Sequence, residues 1–442
     1  MNITDLFVTN IMCFASNPIE RKVLHHARKC YLDYLGCVLA GSKTNSKKIH
    51  ELIQSGLLSS GECIAFGVPI KLSFRDAAFL NGFNSHSMEM DDGHRYAMVH
   101  IEAPIFSAML ALMDKECISA EDFYRGIIVG YEVTIRIARS LQPSHKLRGF
   151  HSTGTCSTLG IAMAAATALH FDFHQTKAAL SAAASSASGL LEMLANDSEL
   201  KPYNVARAVL DGLTSAYIGK VRFHEPDDVL GGIWGFEAVM TDTPHYEFLT
   251  EFKEEEPYIM SNYFKPYAAC RHCHSTIDAT LHIAQNNKID VAKISKIKIE
   301  TYKMALLGHD HTEVKSTKSA MMSIPYSSVV AIAKKNAGMN QYTTDVVMSE
   351  EIQSLLNKVE ICENFELTSC LPDIRGAIVE IEVEGKRYKK RVNYSLGEPE
   401  NPMSDDALIA KFKELALYAG INVIHINSVV EDVLKGKIIT LF

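Results

Sequence analysis

The chain has 442 residues, which favours two hydrophobic cores over one or three. Apolar residues make up 47% and charged residues 22%, the mix of a globular chain, which excludes a disordered or collagen-like class. The 44 basic and 52 acidic residues leave a formal charge of −8 and no Lys/Arg block that would track a phosphate backbone, so a nucleic-acid partner is not expected and an anionic substrate has to be met by a local cluster of cations.

The first segment, Met1 to Ile19, has no basic stretch ahead of an apolar core, and no apolar run reaches the roughly 18 residues needed to span a bilayer. The expectation is a cytoplasmic protein with no membrane partner. Ten cysteines between Cys13 and Cys370 sit mostly in apolar stretches, as reduced cysteines do. From Ile19 to about Phe223 apolar residues recur three and four positions apart, which predicts helices over Arg21 to Ala40, Phe74 to Met90, Ala103 to Lys115, Ala120 to Leu141, Cys156 to His170 and Gln175 to Leu194. The Ala-rich stretches Ile161 to Ala168 and Ala178 to Ala187 suit central helices buried all round. Ser119 with Asp122 has capping spacing, and Asp172 marks another helix start.

After Lys265 the texture changes. Ile294 to Tyr302 alternates, and Gly376 to Tyr394 alternates about Glu384-Gly385-Lys386, the pattern of strands and a hairpin. Helical stretches over Ser319 to Lys335 and Glu350 to Glu363 make this part a smaller α+β domain. Pro399 and Pro402 bracket a polar linker, and Ser404 to Tyr418 returns to helix with Asp405 and Asp406 in its first turn. The predicted fold is mainly α: a helical domain from residues 1–264 and 398–442, and an α+β lid over 265–397.

Four polar clusters stand out. The first, His86-Ser-Met-Glu89-Met-Asp91-Asp92-Gly93-His94-Arg95 with His100, places ionisable groups among apolar neighbours, where they must pair or do chemistry. It reads equally as a solvated helix end; His86, Asp91, His94 and His100 offer metal donors, but at no familiar metal spacing. The second, Arg148 to Thr155, puts His151 beside a helix N-terminus suited to a carboxylate, with plain capping by Ser152 or Thr153 as the alternative. The third is Lys201-Pro202-Tyr203-Asn204, where a lysine opposes the helix dipole unless an anion sits beside it; Asn196 and Asp197 are candidate partners. The fourth, Lys265-Pro266-Tyr267-Ala-Ala-Cys270-Arg271-His272-Cys273-His274, offers Lys265, Arg271 and His274 as an anion-binding turn. Its C-x-x-C-H run fits covalent haem attachment only in an exported chain, and zinc would need a second Cys or His pair at ligand spacing, which is missing. His309 and His311 form a weaker feature. Leu230 to Phe236 is no phosphate loop, and no G-x-S-x-G elbow occurs.

Taken together, six segments in order resemble the MmgE/PrpD family: Leu80-Asn-Gly-Phe-Asn-Ser-His86 running into Asp91-Asp92; Gly130-Tyr-Glu-Val133; Gly149-Phe-His151 with Gly154-Thr155; Lys201-Pro202; Lys265-Pro-Tyr267 with Cys270-Arg271 and His274; and Asn401-Pro-Met-Ser404. The resemblance implies a homodimer with the active site between domain and lid, no metal and no organic cofactor, and a small di- or tricarboxylate substrate. It places His100, His151, Lys201 and Lys265 on the pocket lining with Asp91 or Asp92 beside it, so that His100, His151, Lys201, Lys265 and Asp91 are the expected catalytic residues. Asp92, Arg271, His274, Tyr267 and His86 are the expected substrate-binding residues. Dehydration of a 2-methylcitrate-like substrate ranks first, and epimerisation of an iminodisuccinate-like dicarboxylate second. Decarboxylation of cis-aconitate ranks third, because Gly93 and Cys270 stand where decarboxylase-type members carry Thr and His. A catalytically silent carboxylate-binding protein is the non-enzyme alternative.

Overall fold

The structure, a computed structural model, describes residues 1–194, 198–253 and 255–439. The chain divides into two compact units, one of Met1–Leu194, Leu200–Asn262 and Ser404–Phe442 and the other chiefly of Tyr263–Met403. Mainly α describes it: among the described residues, twenty α-helices accompany one four-stranded sheet.

The first unit is built around the helix Ser152–Ala168, nearly every residue of which is buried. A helix can be buried all round only if its neighbours approach closely, and here Gly160 and a run of alanines meet Ala120–Leu141, Glu102–Glu116, Phe173–Ser186 and Lys201–Lys220. A Cβ on Gly160 would lie 1.9 Å from Thr134 Oγ1, so no larger residue fits that crossing. The expected caps form: Ser119 accepts from the Asp122 amide, and Asp172 with Gln175 makes a reciprocal capping box. The long helix Arg21–Gln54 runs well past its expected end at Ala40. The helix Asp405–Tyr418, capped by Ser404, packs back on it. That return is tied by a buried ion pair, Lys411 Nζ to Asp33 Oδ1 at 2.6 Å, and by Lys411 donating to Met90 O at 2.6 Å.

Two expected helices stop early. Phe74 to Met90 ends at Ser85, with His86 as its C-cap, and Glu89 then adopts φ 54°, which no helix accommodates. Gln175 to Leu194 ends at Ser186, followed by a short 3-10 turn at Leu191–Leu194. The helices Ile3–Ser16 and Val423–Leu434 are additions to the sequence reading.

In the second unit the strand order is Val359–Glu363, Ile294–Thr301, Ala377–Val383, Lys386–Val392, with the first pair parallel and the others antiparallel. Alternate residues Ala377, Val379, Ile381 and Val383 are buried, and the helix His274–Asn286 packs on this strand and its hairpin partner. The hairpin turns through Glu384 at φ 49° and Gly385 at φ 78°, the paired left-handed conformations of a two-residue turn. The predicted helix Glu350 to Glu363 is corrected: it stops at Leu356, and Val359–Glu363 pairs as an edge strand, its short alternating run being too brief to outweigh the helical residues before it. Ser319 to Lys335 is likewise two helices, Thr317–Met322 and Ile324–Lys334, broken where Ser323 caps the Tyr326 amide and Pro325 has no N–H to continue. Among the described residues no helix is long and apolar enough to cross a membrane.

Candidate active site

Within the helical unit, three loops bring histidines together. His86 caps the helix Phe74–Ser85, His100 precedes Glu102–Glu116, and His151 is the N-cap of Ser152–Ala168. The His86 and His100 ring centroids lie 4.8 Å apart, and those of His86 and His151 6.1 Å. His86 Nδ1 is 2.7 Å from Asp91 Oδ2, both side chains being fully buried, and the same oxygen is 3.5 Å from His100 Nδ1.

The partners sort the tautomers. His86 Nδ1 faces a carboxylate and His100 Nδ1 faces the Asp92 carbonyl oxygen at 2.7 Å, so each carries its hydrogen on Nδ1 and keeps its lone pair on Nε2. His86 Nε2 is buried with no hydrogen-bond partner among the described residues. His151 is the opposite case. Asn204 Nδ2 lies 3.1 Å from His151 Nδ1 and also donates to Leu190 O at 3.2 Å, so the amide nitrogen is the donor and His151 carries its hydrogen on Nε2. Burial, reinforced by the nearby charge of Lys201 and by His86 and His100, pushes His151 well below the ordinary imidazole value of 6.5 and keeps it neutral. Gly154 makes this approach possible, because a Cβ there would meet Ser188 O at 2.5 Å, in the strand-like segment whose Gly189 O accepts from the His151 amide.

Lys201 lies at the first turn of Lys201–Lys220, buried, and its ammonium is paired with the carboxylate of Glu89. The anion that compensates the helix dipole therefore comes from the Glu89 turn, while Asn196 and Asp197 lie outside the described residues. Asp92 has a different part from the expected one. Its Oδ1 accepts from the Ile101 and Glu102 amides at 3.1 and 2.8 Å, and its Oδ2 accepts from Tyr131 OH at 2.8 Å and Asn262 Nδ2 at 2.7 Å. Four donors fill this carboxylate, although burial still pushes it up to about 6. Asp92, an expected substrate-binding residue, here caps the helix Glu102–Glu116 and holds the loop that carries His100.

The second unit treats its cations in the manner of Asp92. Arg271 gives Glu398 Oε1 two hydrogen bonds, at 3.1 and 2.6 Å, and lies 2.9 Å from His274 Nδ1, while His274 Nε2 faces Ala269 O at 3.1 Å. Tyr267 OH donates to Asp278 Oδ1 at 2.5 Å, and Asp278 Oδ2 accepts from the Leu396 amide at 2.6 Å. Arg271, His274 and Tyr267 thus pin the turn after Lys265 to the segment 396–398, which gives these expected substrate-binding residues a structural role as well. Lys265 is fully buried in the same unit.

Sequence reasoning names Glu89 and Asn204 within their clusters and gives neither a role. Glu89 is visible as a charge among Ser87, Met88 and Met90, but its pairing depends on a left-handed turn that no local pattern announces; Asn204 follows Lys-Pro-Tyr as an ordinary helix residue. The donor atoms of His86, Asp91 and His100 lie within 4.8 Å of one another, which is metal spacing. The Nδ1 hydrogen of His86 fills the gap to Asp91, however, so a hydrogen bond accounts for the approach. What the arrangement offers is two imidazoles with acceptor Nε2 atoms, a third with an N–H donor, and one lysine.

A family model described as the MmgE/PrpD N-terminal domain matches residues 7–249, and one described as the MmgE/PrpD C-terminal domain matches residues 267–423. The chain is 23% identical to the cis-aconitate decarboxylase-like protein oryM of Aspergillus oryzae over 425 residues, covering 90% of this chain and 87% of that protein. It is 23% identical to cis-aconitate decarboxylase of Homo sapiens over 434 residues, covering 93% and 87% of the two chains, and 21% identical to that of Mus musculus over 441 residues, covering 93% and 86%.

Proposed function

The chain belongs to the MmgE/PrpD family, and from that premise we propose that it is a lyase that moves a proton at a carbon next to a carboxylate of a small di- or tricarboxylate, with dehydration of a 2-methylcitrate-like substrate as the leading reaction. The observation that carries the reading is the sorting of three clustered imidazoles into acceptors and a donor. His100 Nε2 takes the α-proton while the substrate carboxylate spreads the charge left behind. Lys201 receives that carboxylate in exchange for Glu89, and a fixed cation at the developing charge is the largest kind of electrostatic contribution to such a step. Burial and then the nearby cations depress His151, and a bound polycarboxylate sets negative charge against them, so His151 takes up a proton at Nδ1, with Asn204 turning its Oδ1 to accept it, and passes the Nε2 proton to the leaving hydroxyl. The carbon–oxygen bond breaks, a carbon–carbon double bond forms and water departs with the proton from His151. Asp91 and Asp92 position the imidazoles, and Lys265 stays a proposed second carboxylate-binding cation.

A second reading, decarboxylation of a cis-aconitate-like substrate, is supported by the names of the three relatives. In that case a carbon–carbon bond breaks, CO₂ leaves and a protonated imidazole returns a proton to carbon. Epimerisation would use His100 and His151 on opposite faces of one carbon. One experiment separates them: the protein is incubated in D₂O with 2-methylcitrate, cis-aconitate and iminodisuccinate, and NMR follows water loss, CO₂ loss and deuterium entry. Water loss from 2-methylcitrate supports the leading reading. CO₂ loss from cis-aconitate replaces it with the second, and tight binding without any exchange leaves a silent carboxylate-binding protein.

A further inference from the structure

Away from the histidine cluster, the second unit assembles a donor set that local sequence spacing does not reveal. Cys270 and His272 stand two residues apart at the 3-10 turn Arg271–Cys273, and the fold brings His309 to them from nearly forty positions downstream. One donor atom from each lies within 4.8 Å of the others, and Cys270 Sγ is 3.8 Å from His309 Nε2. A tetrahedral zinc ion with a sulfur at about 2.3 Å and a nitrogen at about 2.05 Å separates those two ligands by about 3.5 Å, so the observed gap, which the Cys270 thiol spans as a hydrogen bond to His309 Nε2 while it keeps its proton, is also close to the spacing an ion would impose.

The second nitrogens are placed as metal sites place them. His309 Nδ1 is 2.8 Å from Met322 O, which fixes its hydrogen there and turns Nε2 into the ligand atom. His272 Nδ1 is 2.5 Å from Tyr302 OH, whose oxygen can accept the Nδ1 hydrogen when Nε2 carries an ion. The two rings stack loosely, with centroids 5.1 Å apart and planes 33° from parallel. The frame is rigid as well: the Cys270 amide donates to Met321 O at 2.8 Å, so consecutive carbonyls at the end of Thr317–Met322 hold the cysteine and His309 in register. Both histidines are buried and Cys270 is partly exposed.

We propose that Cys270, His272 and His309 form a binding site for a thiophilic divalent transition ion, Zn²⁺ being the type that suits one thiolate and two imidazoles. The thiol loses its proton to solvent as the ion binds, so affinity weakens as the pH falls. Arg271 lies between two of the ligands, and an ion there locks the turn that holds Glu398.

Co²⁺ titrated into the purified, metal-stripped protein tests this, because a cobalt–thiolate bond adds a near-ultraviolet absorption that nitrogen and oxygen ligands do not give. The expected result is one equivalent of Co²⁺ bound with that absorption and displaced by Zn²⁺, with the absorption absent in Cys270→Ser and the affinity reduced in His309→Ala. Tyr302→Phe keeps all three ligands and is expected to bind about 10–100-fold more weakly, as loss of a partner behind a ligand does. Circular dichroism verifies that each variant is folded. No binding, a spectrum without the thiolate absorption, or an absorption that survives Cys270→Ser overturns the proposal; binding that moves only with His86 or His100 variants overturns it too, by assigning the ion to the other cluster.

Discussion

The helical unit and the α+β unit each bury histidines beside a cation, and they complete the hydrogen bonding of those groups differently. In the helical unit's cluster of three imidazoles each ring has one nitrogen fixed by a neighbour, Asp91 for His86, Asp92 O for His100 and Asn204 for His151, and Nε2 of His86 has no hydrogen-bond partner among the described residues. In the α+β unit His274 is held at both nitrogens, Arg271 has Glu398 and His274 in its fork, and Tyr267 is engaged by Asp278. On the proposed reading, similar residue types make a reactive cluster in one place and a fastening in the other. The distinction rests on which lone pairs and N–H groups are left over, not on how many charged residues crowd together.

The strongest way to break this contrast is to remove one residue from each cluster and read both activity and stability. His100→Ala is expected to lower kcat by about 10²–10⁴-fold, the usual worth of a positioned acid or base, with little change in melting temperature. Arg271→Ala is expected to do the reverse. It leaves Glu398 buried without its guanidinium, a loss of about 3–5 kcal/mol of unfolding free energy in a denaturant titration. If Arg271→Ala folds with full stability and loses only substrate affinity, the α+β cluster is a binding site after all.

A pH series sharpens the helical side. His145, buried with Nδ1 at 2.9 Å from Met240 O and Nε2 at 2.8 Å from Thr155 Oγ1, is pushed down to about 4 by burial. Its folded value lies below its unfolded one, so the unfolded chain binds more protons between the two, and stability falls as the pH drops below the ordinary value of 6.5. Between about pH 6.5 and about pH 5 this amounts to about 2 kcal/mol. Glu237, pushed up to about 8 by burial, acts with the opposite sign over the same window. The measurement is thus a difference: His145→Gln is expected to flatten the acid-side loss relative to the wild type, and identical slopes would sink the assignment.

Much of the helical unit is legible in the sequence because its signals are local. Ser119, Asp172 and Ser404 announce helix starts, and three- and four-residue periodicity carries the spans between them. The candidate site is legible only in part. His100 and His151 stand out as residue types beside helix starts, but their tautomers depend on Asp92 O and Asn204, which the chain brings from elsewhere. Glu89 becomes the partner of Lys201 through a positive φ that its own sequence neighbourhood does not require. In the α+β unit the alternating strands are plain, yet Arg271 and Tyr267 read as anion binders because their carboxylate partners, Glu398 and Asp278, lie 127 and 11 residues away. A cation's partner decides its role, and a partner contributed by tertiary structure is invisible in a local pattern.

Tyr267 gives the finest test of that last point, because its removal changes one hydrogen bond and almost no volume. Tyr267→Phe deletes the donor to Asp278 Oδ1 and leaves Oδ2 with the Leu396 amide. Burial already raises Asp278, and the tyrosine hydroxyl is the strongest influence holding it down, so without that hydroxyl the carboxyl rises further and is protonated over a wider pH range. Protonation limits the cost, because a neutral acid is cheaper to bury than an orphaned carboxylate. The expected loss is therefore only about 1 kcal/mol, read as a small shift of the denaturant midpoint, with KM unchanged. A raised KM at unaltered stability would return Tyr267 to the substrate and erase the line between the two clusters.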